Sequence, residues 1–348
     1  MPKTEVRHPD KAVSTGACSM NPAMPARERE QIEPVGLIGL GLMGRGIASC
    51  LLSQGLEVMA YNRTARRAQE SIPHIEEALH ELVRRKLAPR SRVAKWRERF
   101  HLVGSVQELS PCRFVIESVK EDLPLKRRIY GELEAAVAAR TVIASNTSSL
   151  PITVLQAGRR RPERFIGMHW GEPAQIMRYL EVIPGRQTSP RAVRLTRRLA
   201  EICGKEPTVL RQDIRGFLSN RMMYAMIREA CYLVEAGVAD IATVDKSFRN
   251  DMGWWALLAG PFRWMDLTGI PAYAAVMEGL LPKLCNTKSV PRLLRDMTAG
   301  GATGIANAKG FYRYTKASAR RWERAWVDFT YDMRRLAEKY AEKKIERE

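Results

Sequence analysis

A glycine-rich turn between two apolar segments constrains the fold of this chain more than any other feature. Val35–Leu40 is apolar, Gly41–Ser53 continues with apolar residues at helical spacing, and Leu56–Tyr61 is apolar again. This order predicts a strand, a helix and a second strand, with about the length of a βαβ unit. A βαβ unit indicates the α/β class, because its strands are parallel and its helix covers one face of the sheet.

The turn itself has the sequence GLGLMG, which is the pattern GxGxxG. Gly39 permits the tight turn, Gly41 lets a pyrophosphate approach the backbone, and Gly44 lets the helix pack closely on the strand. The phosphates would lie on the helix N-terminus, at Leu42 and Met43, where free N–H groups and the helix dipole favour an anion. Since the motif stands between a strand and a helix, it predicts a dinucleotide site.

The end of the second strand bears on the choice of cofactor. Sites for NAD usually carry Asp or Glu there, which binds the ribose 2′-hydroxyl. This chain has Asn62, Arg63 and Thr64 instead, and the Arg63 guanidinium suits a 2′-phosphate. We therefore expect NAD or NADP, with NADP favoured, and we place these three residues in the cofactor site.

The rest of the chain shows alternating strand and helix patterns, followed by helices alone. A charged helical segment is expected from Ala65 to about Phe100, with a break near Pro89. The alternation predicts a Rossmann-type, doubly wound, mostly parallel sheet, and the change at Gly216 predicts an all-α C-terminal domain. The further predicted strands are Phe114–Val119, Val142–Ser145, Phe165–Met168, Tyr179–Ile183 and Pro207–Leu210.

These patterns divide the chain into four parts. Residues 1–33 lack periodicity and are expected to be a disordered leader. Residues 34–213 would form the NAD(P)-binding Rossmann domain, and residues 214–315 the all-α domain. Residues 316–348 are a charged amphipathic helical tail, whose apolar residues recur every three or four positions. Because this apolar stripe is short for a coiled coil, we expect the tail to pack on its own chain.

Composition narrows the classes of partner and compartment. The net charge of +19 favours anionic partners, although a generally arginine-rich surface gives the same balance. The sequence contains no run of about 18 apolar residues, so we expect no membrane span. The six cysteines form no CxxC pair, which excludes a cysteine-based zinc site and suits a reducing compartment. The first residues lack the apolar region of a secretory signal, so we expect a cytoplasmic protein. We also expect no metal site.

One histidine and one glutamate stand out as candidates for chemistry. His169 is one of only five histidines, and Glu181 follows it in the next predicted strand. If the two side chains meet across the turn, the carboxylate fixes the imidazole tautomer and supports its charged form, as in general acid–base catalysis. A core histidine bonded to a backbone carbonyl is the alternative. This stretch alone favours neither.

Two polar segments would reach the same edge of the sheet. The sequence SNTSS follows a predicted strand, and Asn146 and Ser148 there can contact cofactor or substrate. Alternatively, Thr147 or Ser149 caps the next helix. Asn220, in the first turn of the helical domain, would either face the cofactor domain or be solvated.

Together these motifs resemble the 3-hydroxyacyl-CoA dehydrogenase family over residues 35–314. The matching pieces, in order, are GLGLMG, VIESVKEDLPLK, ASNTSSLPI, GMHW, MRYLEVI, DIRGFLSNR, GPF and KGFY. The resemblance implies a homodimer that transfers a hydride between NAD(P) and the 3-hydroxy or 3-keto carbon of an acyl-CoA. It also implies that His169 is the general acid/base and that Glu181 orients it. The other residues that it implicates are Ser148 and Asn220 on the substrate and Glu121 and Lys126 along the cofactor.

The chain departs from the family pattern at Glu172, where the family usually has an asparagine. A carboxylate there, beside cofactor or substrate, would retune the histidine, reject a thioester or select a cationic or hydroxylated substrate. Residues 300–309 lack the usual lysine pattern, and Trp254, Trp255 and Trp264 add bulk to the helical domain.

A basic block lies in the segment after the second strand, where the family contacts acyl-CoA. Between Arg84 and Arg99, eight Lys or Arg residues stand against one acid. The phosphates of CoA are a natural counterpart for these charges. A solvated helix face is the alternative.

Three other functions stay open. GLGLMG followed by YNRT also resembles the 3-hydroxyisobutyrate and 6-phosphogluconate dehydrogenases, but the lysine that they use is missing between Lys205 and Lys246. A dehydrogenase of a free hydroxy acid, of the gulonate or carnitine type, would suit Glu172. The charge would also suit a non-catalytic binder of nucleic acid or a regulatory binding protein. The presence of all four residues that the resemblance implicates at the substrate argues against both; they are Ser148, His169, Glu181 and Asn220.

Overall fold

The computed structural model describes residues 30–341 and Ile345, so the predicted leader lies outside the described residues up to position 29. An eight-stranded sheet forms the N-terminal domain. Its strands are β1 Val35–Ile38, β2 Val58–Tyr61, β3 Phe100–Val103, β4 Phe114–Glu117, β5 Val142–Ser145, β6 Phe165–Trp170, β7 Tyr179–Pro184 and β8 Glu206–Val209.

The spatial order of the strands is β3-β2-β1-β4-β5-β6-β7-β8. All neighbours are parallel except β6 and β7, which are antiparallel. The central strands β1, β4 and β5 are buried at every position, which explains their continuous apolar sequences. The carboxyl ends of the parallel strands meet at one edge, and that edge collects the polar side chains.

Helices cover both faces of this sheet. They are α1 Leu42–Ser53, α2 Ala65–Arg84, α3 Arg90–Val93, α4 Leu123–Ala136, α5 Ile152–Gln156 and α6 Pro190–Ile202. Buried residues of α1, α2 and α6 belong to one apolar cluster, and those of α4 and α5 to a second. This two-sided packing confirms the predicted Rossmann-type, doubly wound fold.

The helical segment predicted from Ala65 to about Phe100, with a break near Pro89, is only partly present. The helix α2 ends at Arg84, Lys86 has a left-handed φ of 61°, and only short helical turns follow before β3. Strand β3 went unpredicted because it is an edge strand, exposed at His101 and half-buried at its other positions. An edge strand of this length carries little of the apolar pattern that identifies buried strands.

The C-terminal domain is helical, as predicted, but its own helices bury little. They are α7 Ser219–Glu235, α8 Ile241–Asn250, α9 Met252–Trp255, α10 Gly260–Thr268, α11 Ile270–Leu280 and α12 Arg292–Ala299. Within these helices only Cys231 is buried. Trp254 and Phe262 are 80% and 78% exposed, so a large apolar surface faces outward.

The tail forms one long helix, α13, Lys316–Lys339, which packs back on the Rossmann domain. Tyr331 is 2% exposed and belongs to the apolar cluster that contains α1 and α2. The Arg85 guanidinium lies 4.9 Å from the centre of the Tyr331 ring and donates a hydrogen bond to Asp328. The tail therefore contacts its own chain, as expected. Across the described residues, every helix is too short or too polar to cross a membrane.

Candidate active site

The nucleotide turn between β1 and α1 needs its glycines for steric reasons. Gly39 has φ 94°, and a Cβ there would lie 2.5 Å from the carbonyl oxygen of Ser118. A Cβ on Gly44 would lie 1.9 Å from the carbonyl oxygen of Gly39. A Cβ on Gly41, the N-cap of α1, would meet only open space. The turn thus leaves room beside a helix N-terminus, which fits a pyrophosphate.

The side chain of Asn62 is already used to shape this region. Its Oδ1 accepts a hydrogen bond from the Leu40 amide at 3.2 Å, and its Nδ2 donates to the Thr64 carbonyl at 3.0 Å. Arg63 beside it is exposed. Asn62 therefore links the nucleotide turn to the end of β2, and Arg63 remains available to an anion.

The antiparallel pairing of β6 with β7 brings His169 directly opposite Glu181. Their Nδ1 and Oε2 atoms are 2.9 Å apart, and the Tyr179 hydroxyl lies 3.1 Å from the same Nδ1. The carboxylate only accepts, so Nδ1 carries the proton and Nε2 of the neutral ring holds a lone pair. The predicted meeting of the two side chains is therefore present in the structure.

Burial and hydrogen bonding act in opposite directions on Glu181. Burial alone would raise the pKa of this fully buried carboxyl group, but hydrogen bonds from His169 and Tyr179 and from backbone amides hold its pKa below the ordinary value. Burial, together with the charge of Glu181, raises the pKa of Tyr179. The site thus contains an ionised carboxylate and a neutral phenol around one imidazole.

A strained turn between the two domains completes the surroundings of Glu181. Gly216 and Phe217 both have left-handed φ values, of 81° and 53°, and such a conformation costs a non-glycine residue about 1–3 kcal/mol. The turn directs the amides of Leu218 and Ser219 to Glu181 Oε1, at 3.0 and 3.1 Å. The buried Phe217 ring lies 5.6 Å from the His169 ring.

Asn220 reaches back to the Rossmann domain, which was one of the two predicted possibilities. Its Nδ2 donates a hydrogen bond to the Ser148 carbonyl at 2.8 Å. Glu121 holds the same segment, because it accepts hydrogen bonds from the amides of Ser148 and Ser149, at 3.1 and 3.0 Å, and from the Thr147 hydroxyl. Ser148 itself is exposed at the sheet edge.

The suggestion that Thr147 or Ser149 caps the next helix was wrong. The N-cap of α5 is Pro151, which provides no side-chain cap. The Asp213 carboxylate serves this helix end instead, because it accepts hydrogen bonds from the amide and the hydroxyl of Thr153. Residues 147–149 of the run SNTSS are therefore bonded mainly to Glu121 and Asn220.

Lys126 lies inside the protein, in a polar network that the sequence analysis missed. It is fully buried and donates to Glu117 at 2.7 and 2.9 Å, with Glu121 Oε2 3.4 Å away. The only signal was the run VIESVKED, which begins in the buried strand β4 and continues with charged residues after it. A direct contact of Lys126 with the cofactor stays a prediction.

Asn146 is bonded to the strand of His169, and Glu172 follows that strand by two residues. Asn146 Oδ1 accepts from the Trp170 amide at 3.0 Å, and Asn146 Nδ2 donates to the Ser118 hydroxyl at 3.1 Å. The exposed Glu172 lines a cavity of about 830 Å³. The walls of this cavity come from α1 and α2, from the segment 172–176 and from the tail.

Some side chains of the basic block and of the tryptophans contact other residues of the protein. Arg84 and Arg85 pair with Glu81, whereas Arg97 lies over the Trp96 ring and bonds Glu76 at 2.9 Å. Trp255 and Trp264 stack on each other at 5.4 Å. A contact of the block with CoA phosphates, or of these rings with an acyl chain, stays a prediction.

Sequence comparison agrees with this geometry. The profile described as "3-hydroxyacyl-CoA dehydrogenase, NAD binding domain" matches residues 34–214, and the profile of that family's C-terminal domain matches residues 216–314. The chain belongs to the 3-hydroxyacyl-CoA dehydrogenase family. It is accordingly an NAD-dependent oxidoreductase with a Rossmann domain, and the enzyme prediction is confirmed.

Individual relatives differ in what they act on. The chain is 34% identical, over 82% of its length and 91% of the relative, to 5-formyl-3-hydroxy-2-methylpyridine 4-carboxylate 5-dehydrogenase from Mesorhizobium japonicum. It is also 34% identical, over 80% of its length and 99% of the relative, to a probable 3-hydroxybutyryl-CoA dehydrogenase from Deinococcus radiodurans.

Solved structures show the same two classes. The crystal structure of a 5-dehydrogenase of the same pyridine acid, an NAD⁺-dependent dismutase, superposes with a TM-score of 0.82 at 31% identity, over 87% of this chain and 98% of the other. The (S)-3-hydroxybutyryl-CoA dehydrogenase from Ralstonia eutropha superposes with a TM-score of 0.68 at 31% identity, over 82% and 99%.

Proposed function

We propose that the protein transfers a hydride reversibly between NAD(P) and C3 of a 3-hydroxyacyl-CoA, with His169 as the general acid/base. The buried hydrogen bond from His169 Nδ1 to Glu181 Oε2 carries this proposal. His169 lies at the end of β6, on the sheet edge that also holds the nucleotide turn. A base at this edge is within reach of an alcohol presented to a nicotinamide.

The protein groups divide the proton chemistry between them. When bound, the nicotinamide supplies the hydride acceptor for oxidation and the hydride donor for reduction. During oxidation, Nε2 of His169 takes the proton of the 3-hydroxyl, and the ionised Glu181 stabilises the resulting imidazolium. During reduction, the imidazolium returns that proton to the carbonyl oxygen. Ser148 and Asn220, which are bonded to each other, are proposed to orient that oxygen.

A free hydroxy or oxo acid is the second candidate substrate. Glu172 keeps this candidate open, because its carboxylate replaces the family's usual amide on the segment between His169 and Glu181. The higher TM-score with the pyridine-carboxylate enzyme also supports it. In that case the acid/base chemistry at His169 is unchanged, and only the recognition of the remainder of the substrate differs.

One assay separates the two candidates. Oxidation of NADH and NADPH is followed with acetoacetyl-CoA, with free acetoacetate and with a pyridine carboxylate that bears an aldehyde. A kcat/KM at least tenfold higher with acetoacetyl-CoA supports the thioester. A reversed ratio supports the free acid, and absence of hydride transfer with all three contradicts both.

We also propose that two copies of the chain associate through the helical domain. The support is the set of exposed large apolar side chains on α7, α9, α10 and α11, because a contiguous apolar surface on a protein commonly marks an interaction site. Sedimentation equilibrium on the full chain tests this. A twofold axis through that surface predicts a dimer, and a monomer at micromolar concentration would contradict it.

A further inference from the structure

The segment 171–178 joins the strand of His169 to the strand of Glu181 and carries Glu172 near its start. We call it the 171–178 turn. It lines the cavity of about 830 Å³ together with Leu42 and Arg45, which follow the nucleotide turn. Any displacement of the turn would move Glu172 relative to the nucleotide turn. The groups that hold the turn therefore affect the geometry of the active site.

The first holding group is Lys205, which precedes β8. It is 6% exposed, and its Nζ donates to the carbonyl oxygens of Ala174 and Met177, the latter at 2.7 Å. Nζ also lies 5.2 Å from the centre of the Trp170 ring. Burial lowers the pKa of this lysine. Two carbonyl oxygens of the turn thus point at one cation inside the Rossmann domain.

The second holding group comes from the tail helix. Nη1 of Arg334 donates to the carbonyl oxygen of Ile176 at 2.6 Å, and Nη2 donates to that of Gly204 at 3.4 Å. Glu338, one turn further along α13, accepts from Nε of Arg334 at 3.0 Å. The side chain of Arg334 is 14% exposed. Its planar guanidinium therefore spans the turn, the Lys205 segment and its own helix.

We propose that the tail helix α13 is a positioning element of the active site and that Arg334 is its positioning residue. Arg334 and Lys205 together fix three carbonyl oxygens of the 171–178 turn and so set where the Glu172 carboxylate lies. This role rests on the proposed function, because Glu172 matters only if substrate and cofactor bind beside it. The family's C-terminal profile ends at residue 314, so the matched domains alone do not provide this group.

Substitution at two adjacent tail positions tests the proposal. Arg334→Met removes both hydrogen bonds to carbonyl oxygens and keeps a long side chain. Arg335→Met is the matched control, because Arg335 is half-exposed and, within residues 30–341, its ion pair is with Asp332 on its own helix, at 3.0 Å. We expect Arg334→Met to lower kcat/KM about tenfold, since misplacement by about 1 Å far from the chemistry can cost more than that. Arg335→Met should stay within twofold of wild type.

Two further readouts separate positioning from a purely structural role. In a double-mutant cycle with Glu172→Gln, the loss from Arg334→Met should shrink to less than threefold, because both changes act on one carboxylate. Arg334→Lys keeps one donor to the turn and should recover part of the activity. An unchanged kcat/KM in Arg334→Met overturns the proposal, and so does an equal loss in both Glu172 backgrounds.

A measurement without substrate keeps this test independent of the proposed function. Amide hydrogen exchange across residues 174–178 should be at least tenfold faster in Arg334→Met than in Arg335→Met. Equal exchange in the two variants overturns the proposal. The proposed function fails separately, if His169→Gln leaves hydride transfer intact. If Arg334→Met does not give a cooperative unfolding transition, the same comparisons are made with Arg334→Lys.

Discussion

Two glutamates, Glu117 and Glu181, are both fully buried near the same edge of the sheet, yet their surroundings differ. Glu117 accepts hydrogen bonds from Lys126, Tyr130 and Ser145, at 2.6 to 2.9 Å, and from the Val119 amide at 2.8 Å. Lys126 and Tyr130 are themselves fully buried. This centre is closed on every side.

The Glu181 centre is open at one atom. Its carboxylate is bonded to two backbone amides and to His169 Nδ1. The His169 side chain is 10% exposed, and among the described residues no hydrogen bond engages Nε2. His169, the partner of Glu181, has a second ring nitrogen that can pass a proton to a ligand. Lys126, the partner of Glu117, is buried and held by carboxylates, so it cannot readily do so. On this comparison we propose that Glu181 supports chemistry and that Glu117 supports the fold.

Replacing His169 by Gln should have the largest effect and is the most direct way to break this comparison. Loss of the acid/base is expected to lower kcat by about 10²–10⁴, while the free energy of unfolding changes little, because an amide still bonds Glu181. Steady-state kinetics and urea unfolding measure the two quantities. His101→Gln, at an exposed histidine, is the control. An unchanged kcat would remove His169 from the mechanism.

Replacing Lys126 by Met should show the opposite pattern. Removing one partner of a buried ion pair costs about 3–5 kcal/mol of unfolding free energy, because Glu117 is left charged and unpaired. The rate per folded molecule should change less than tenfold. Urea unfolding beside Lys95→Met, an exposed lysine, measures the difference. If the free energy of unfolding is unchanged and KM for the cofactor rises instead, Lys126 contacts the cofactor. The Glu117 centre would then serve function as well as the fold.

The sequence predicted one of these centres and not the other, for a physical reason. Local apolar patterns place His169 and Glu181 on neighbouring strands, which left their meeting open, and the resemblance to the family favoured it. The side-chain partners of Glu117 lie on two elements, Lys126 and Tyr130 on helix α4 and Ser145 on strand β5. Helical spacing places the first two on one face, but no local pattern brings them to Glu117 or to Ser145. Arg334 lies 158 positions from the carbonyl that it bonds. Such contacts depend on tertiary packing and have no counterpart in the spacing of residues.

Local conformation was equally beyond the sequence at some positions. The left-handed φ of Phe217 is unfavourable for an aromatic residue and arises because the surrounding structure imposes it. The fold class, the nucleotide turn and most strands were predictable because they depend on glycine geometry and apolar periodicity. Strand β3 and the contacts of the tail helix with the 171–178 turn depend on neighbours that are distant in the chain.

Glu181→Gln sharpens the comparison through pH. The pKa of Glu181 is lowered in the folded protein from an ordinary value of 4.5. Its ionisation therefore adds stability above about pH 4.5, and this contribution is lost as the pH falls through the folded pKa. The difference in unfolding free energy between wild type and Glu181→Gln should be largest near neutral pH and should shrink below pH 4.5. Glu98→Gln, at an exposed residue, should show no such trend, and a difference that is constant with pH would contradict the assignment.

Asn62→Asp should have the smallest effect. It tests whether the residues at the end of β2 determine the choice between NAD and NADP. The present amide donates to the Thr64 carbonyl and accepts from the Leu40 amide. A carboxylate keeps the second bond, can accept from a ribose 2′-hydroxyl and repels a 2′-phosphate. The ratio of kcat/KM for NADPH to that for NADH should therefore fall about tenfold, equivalent to about 1.4 kcal/mol. Arg63→Gln should lower the NADPH value alone. If the unmodified enzyme already prefers NADH and neither substitution changes the ratio, Asn62 and Arg63 serve only to shape the turn. The choice of cofactor is then made elsewhere.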